Sequence, residues 1–118
     1  MVYSESTVIK HLLYHLYPKK ESIWKWHVER LLEYRHVWNG RRLVTVALDA
    51  ETESKETIRE ALAGLDAEIA FERNDPVLGE TRLFIERLGQ LWSLDPNEAI
   101  FYAHAKGVTH GPRYLEAV

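Results

Sequence analysis

The residues with the most chemical potential stand together late in the chain: His104, Lys106, Gly107 and Thr109, directly after the apolar run Ile100-Phe101-Tyr102-Ala103. An imidazole can move a proton near neutral pH, an ammonium can offset phosphate charge, and a glycine lets the backbone approach an anion. A buried strand needs no such ending for stability. The spacing therefore predicts a buried strand that delivers a site at its carboxyl end, with His104 and Lys106 as the catalytic candidates. Gly107 and Thr109 join them as substrate-binding candidates. The plainer reading makes His104 a hydrogen-bonded structural histidine and Lys106 a solvated cation.

Other candidates fall at the ends of other predicted elements. His15 and Tyr17 close an apolar run near the amino terminus, Asp49 follows Arg42 to Leu48, and Asn74-Asp75 precede Pro76. Asp49 can accept hydrogen bonds from a base or ribose, or simply end a turn. Asn74 and Asp75 form a turn signature and a weak pair for a divalent cation, one carboxylate and one amide being a poor donor set without phosphate oxygens. Glu80 suits the first turn of a helix and is a further substrate-binding candidate. His11 shares a strand face with His15 and reads as a semi-buried partner of an overlying helix. No structural metal site is predicted: there are no cysteines, and His104 and His110 have no recognised ligand spacing. The absence of Gly-x-Ser-x-Gly, Walker and Gly-x-Gly-x-x-Gly patterns removes support for hydrolase, P-loop and dinucleotide chemistry.

The elements that must position these residues alternate. Val8 to Tyr17 is a strand with apolar side chains on both faces, stopped by Pro18. Ser22 occupies an N-cap position for a helix through Trp24, Val28, Leu31, Leu32, Arg35 and Trp38, which Asn39-Gly40 closes by a left-handed exit. Arg42 to Leu48 is a β-branched strand, and Ser54 caps a helix whose stripe is Ile58, Ala61, Leu62 and Leu65. Gly64 weakens that helix's last turn. Ala67 to Glu72 is a shorter, less apolar strand of the kind found at a sheet edge. A third helix buries Leu78, Phe84, Ile85, Leu88, Leu91 and Trp92, and the turn Leu94-Asp95-Pro96-Asn97 leads into the strand that carries His104. Of the four tryptophans, Trp26 lies off the main stripe and is the one expected at the surface.

Strict alternation predicts a three-layer α/β domain with a parallel sheet of four strands and right-handed crossovers. With strand order 3-2-1-4 the order reverses between the first and fourth strands, where ligands bind beyond the carboxyl ends. His15 and Tyr17 would lie close to His104 and Lys106, Asp49 would flank the crevice, and Asn74-Asp75 would lie further out. The chain of 118 residues suits one domain, with 1–7 as a lead and 111–118 as a tail. At 46% apolar and 28% charged residues it has a globular composition, and a formal net charge of -3 provides no basic footprint for nucleic acid. No apolar run is long enough to span a membrane and the polar start carries no signal peptide, so the expected location is cytoplasmic.

HLYP (His15 to Pro18), the Trp-rich helix followed by Asn-Gly, NDPVLGE (Asn74 to Glu80) and FYAHAKGV (Phe101 to Val108) together resemble bacterial glycosyltransferase-like proteins of surface-polysaccharide synthesis. In these a strand ends in a His-Thr-Lys-Gly type signature; here Ala105 stands in place of the threonine. The resemblance implies the nucleotide-binding half of a nucleotide-sugar transferase, with a nucleotide sugar as the partner. The alternative is a non-catalytic binding or protein-interaction module with the same fold, whose exposed aromatics pair with another chain.

Overall fold

The computed structural model describes residues 8–74, 81–92 and 95–104. Its elements run in the order β1 (Ile9–Leu16), α1 (Trp24–Glu33), β2 (Arg42–Leu48), α2 (Lys55–Leu62), β3 (Glu68–Arg73), α3 (Thr81–Leu91) and β4 (Glu98–His104). All strand pairings are parallel and the sheet order is β3-β2-β1-β4. This is the predicted α/β architecture with the predicted strand order. The chain steps from β1 to β2 to β3 in one direction and then reverses to β4, so crossovers of constant hand put α3 on the opposite face from α1 and α2.

The core follows from that reversal. Leu12, Tyr14 and Leu16 of β1 and Val44 and Val46 of β2 pack with Trp24, Val28 and Leu31 of α1 and Ile58 and Leu62 of α2. On the other face Leu13 and Leu43 meet Leu91 of α3, with Leu88 and Ile100 packed against them. β1, central and apolar on both faces, is the strand both layers share. Ser54 caps α2 as expected, its side chain accepting from the Thr57 N–H at 3.2 Å. The last turn of α2 gives way to a 3-10 turn over Ala63–Leu65, with Asp66 left-handed at φ 52°.

Several local expectations are corrected. Ser22 does not cap α1: its hydroxyl donates to the Lys19 carbonyl at 2.6 Å and Ile23 takes the cap position. α1 stops at Glu33 rather than near Trp38, and a 3-10 turn over Arg35–Val37 follows. The Arg42 guanidinium holds this tightened end, donating to the carbonyls of Arg35 and Trp38 and also to that of Leu65. Gly40 does not make a left-handed exit: its φ is not in the left-handed region, whereas among the described non-glycine residues only Glu21 and Asp66 have positive φ. It is needed for space: a Cβ there would collide with the His11 ring and come within 2.8 Å of Ile9 Cγ2. Beside it, Asn39 Oδ1 accepts from Lys10 N–H at 2.7 Å and the Asn39 amide donates to Val8 O, so the chain clips onto β1 before β2 begins.

The third helix buries less than its stripe implied. Leu91 is buried and Leu88 half-buried, but Ile85 and Trp92 are exposed. Leu78 lies outside the described residues, as do the side chain of Phe84 and the proposed lead and tail. Trp26 is exposed as expected, with the Arg30 guanidinium 5.3 Å from its ring centre, yet Trp92 is more exposed still. The largest correction concerns β4, which lies at the edge of the described sheet and is not buried. Its only neighbour in the described sheet is β1, and Phe101 and Tyr102 are 44% and 38% exposed.

Candidate functional site

The carboxyl ends of the parallel strands lie along one rim of the sheet, and the sequence candidates gather there in two groups. The first is built on Asp49, the residue after β2. Its Oδ1 accepts from the Glu51 N–H at 2.8 Å, a turn that folds the chain back. Its Oδ2 accepts from the Tyr17 hydroxyl at 2.7 Å and from the Asn74 amide at 3.1 Å. Three strand ends thus converge on one carboxylate. Asn74 therefore sits against Asp49 and not further out, because its N–H also bonds to Leu48 O at 2.8 Å and continues the β2–β3 pairing past the strand.

The loops behind this group are pinned together. Lys20 N–H donates to Glu51 O, Glu53 N–H donates to Pro18 O, and the buried Thr52 hydroxyl donates to Asp49 O. Electrostatics follow from the bonding. Partial burial acts to raise the Asp49 pKa, but hydrogen bonds from Tyr17, the Glu51 N–H and Asn74, with the charge of Lys19, outweigh it and hold the carboxyl below its usual range. Burial, together with the bond to Asp49 and the charges of Asp49 and Glu51, pushes the Tyr17 phenol up to about 12. At neutral pH Tyr17 is a fixed donor and Asp49 a fixed anion.

The second group lies where the strand order reverses. His15 and His104 are register partners on β1 and β4, so both imidazoles stand on the same face at adjacent strand ends. His15 Nδ1 shares a hydrogen bond with Thr45 Oγ1 at 2.7 Å, and His104 stacks on Tyr102 with ring centres 6.0 Å apart. Tyr17, expected beside His104, turns instead to Asp49. Lys106, Gly107, Thr109, Asp75 and Glu80 lie outside the described residues.

His11 is structural. Its Nδ1 accepts from the Arg41 N–H at 2.8 Å, which places the ring proton on Nε2, where it is donated to Glu98 Oε1 at 2.8 Å. The buried ring thereby ties β1 to the start of β2 and to β4.

Family models, curated proteins and solved structures give no match to this chain.

The geometry adds residues that the sequence did not single out. A cleft of about 390 Å³ opens at the ends of β2 and β3, lined by Leu48, Asp49, Lys55, Phe71, Glu72 and Arg73. Lys55 and Arg59, one turn apart on α2, both lie over the Phe71 ring, 5.3 and 4.9 Å from its centre. The available signal was the position of Lys55 straight after the cap Ser54, since the amino end of a crossover helix points to the carboxyl rim of a parallel sheet. A fixed anion beside two cations can bind a ligand that carries both hydroxyls and negative charge. No cluster of three or more metal-ligating side chains occurs among the described residues.

Proposed function

We propose that this chain is a glycosyltransferase-like domain that binds a nucleotide sugar at the carboxyl rim of its sheet, in the service of cell-surface polysaccharide synthesis. The observation that carries the reading is the Asp49 carboxylate, held ionised by Tyr17 and Asn74 in a cleft that also contains Lys55 and Arg73. Asp49 would accept hydrogen bonds from ribose or sugar hydroxyls, and Lys55 and Arg73 would face the diphosphate. Beside it, at the reversal of strand order, His15 and His104 would orient the donor, with His104 placed to move a proton. Support is thus chemical and positional, added to the resemblance of the sequence motifs.

The test is an amide NMR titration with UDP-, GDP- and dTDP-sugars. The expected result is a cluster of shifts at His15, Tyr17, Asp49, Asn74 and His104 with one nucleotide preferred. No shift with any of them overturns the reading. Assay of sugar release in the same samples separates a transferase from a binding module, the second of which would show shifts without turnover.

A further inference from the structure

The hydrogen bonds at the Asp49 corner leave a definite remainder. A carboxylate offers about four acceptor positions across its two oxygens. Asp49 Oδ2 accepts from the Tyr17 hydroxyl and the Asn74 amide, and Oδ1 accepts from the Glu51 N–H, so one position stays open on Oδ1. Asp49 is exposed at the rim, where a ligand can reach it.

Asn74 supplies the second open acceptor. An ionised carboxylate only accepts, so the Asn74 atom 3.1 Å from Oδ2 is the amide nitrogen and the oxygen is its other terminal atom. Among the described residues that oxygen has no hydrogen-bond partner. The residue is nevertheless held at two points, its side chain on Asp49 and its backbone N–H on Leu48 O at 2.8 Å. A side chain already fixed loses little freedom when a ligand meets it.

Two residues in direct contact thus each keep one open acceptor, one anionic and one neutral. Their occupant must donate twice from neighbouring atoms. A cation is a poor fit, because Lys55 and Arg73 line the same cleft and Lys19 acts on Asp49 as a further positive charge. Adjacent hydroxyls meet both acceptors without adding charge, and Leu48 and Phe71 offer apolar surface to the carbon ring that bears them.

We propose that Asp49 and Asn74 together read a vicinal diol of the ligand, one hydroxyl donating to Asp49 Oδ1 and its neighbour to Asn74 Oδ1. The inference rests on the nucleotide-sugar reading and deepens it, making Asn74 a binding residue in its own right as well as a support for Asp49. The ribose and the transferred sugar both carry such a pair of hydroxyls, and experiment separates the two sources.

Titration calorimetry of the full chain with UDP-glucose and GDP-mannose is compared with analogues that lack one hydroxyl, at the 2 or 3 position of either ring. Within one ring, loss of one hydroxyl should weaken binding roughly 10–100-fold, as for a bond to a charged group, and loss of its neighbour about 2–10-fold. The ring affected names the source. Asn74→Ala leaves the backbone bond to Leu48 intact, so it should stay folded by circular dichroism; it should abolish the smaller penalty and keep most of the larger. A smaller penalty unchanged in Asn74→Ala removes Asn74 from the ligand and overturns the proposal. Binding of the parent compounds with no penalty for any analogue overturns it too, while leaving the nucleotide-sugar reading in place. Absence of binding by UDP-, GDP- and dTDP-sugars alike overturns both.

Discussion

The Tyr17 hydroxyl donates to Asp49 Oδ2 at 2.7 Å, and this bond joins the end of β1 to the end of β2 at the rim proposed to bind a nucleotide sugar. Tyr17→Phe removes the donor and leaves the ring. Nucleotide-sugar affinity should fall by roughly 2–10-fold, the worth of one hydrogen bond. Asp49→Ala also strands the Asn74 amide and the Glu51 N–H, so its loss should exceed that of Tyr17→Phe. Titration calorimetry checks both, and equal effects of the two variants would mean that Asp49 does not touch the ligand.

Acid should loosen the same corner. The folded-state pKa of Asp49 is depressed, so the stability it contributes is complete above its unfolded pKa of about 3.9 and is lost as pH falls through the lower folded value. Urea unfolding of the wild type and of Asp49→Asn should therefore differ in pH dependence below about pH 5 and run parallel above it. Tyr17 behaves in the opposite sense. Its raised pKa makes its contribution complete below about 10 and lost as pH climbs through about 12, which ultraviolet tyrosinate absorbance of wild type against Tyr17→Phe can follow.

Gly40→Ala should destabilise the fold by about 1–3 kcal/mol, because the new methyl meets the His11 ring and Ile9. The collision predicts coupling. In a His11→Ala background the cost of the glycine substitution should shrink, and additive costs in the double-mutant cycle would remove the steric explanation.

Tyr14→Phe should be neutral or stabilising by up to about 1 kcal/mol. Tyr14 is 4% exposed and its buried hydroxyl has no hydrogen-bond partner among the described residues, so the desolvation of that oxygen is uncompensated there. Burial likewise pushes its pKa well above the ordinary phenol value. Thermal unfolding decides, and a loss above about 1 kcal/mol would mean that an internal water satisfies the hydroxyl.

Much of the fold was legible because its signals are short-range. β1 shows both faces apolar, α2 shows its stripe and its cap at Ser54, and β3 shows the weaker apolar content of an edge. The misreadings lie where distant residues decide. Helix periodicity continues past Glu33 towards Trp38, but the Arg42 guanidinium captures the carbonyls of Arg35 and Trp38 and the turn tightens. The run Ile100-Phe101-Tyr102-Ala103 looks like a buried strand, yet apolarity alone does not tell whether a neighbour covers it. Of the candidate site, His15, Tyr17, Asp49, Asn74 and His104 all fall on the described carboxyl rim. Lys55 and Arg73 were missed because nothing in their local spacing marks a cleft.

Strand and helix identity, their alternation, and through it the parallel sheet were set by local periodicity, β-branching and capping, which act within a few residues. The placement of Asn74 on Asp49, the bond from His11 to Glu98 across the sheet, and the exposure of Phe101 belong to the folded chain alone. Each depends on which segments become neighbours after the crossovers close, and pairing between residues dozens of positions apart leaves no periodic trace in a single sequence.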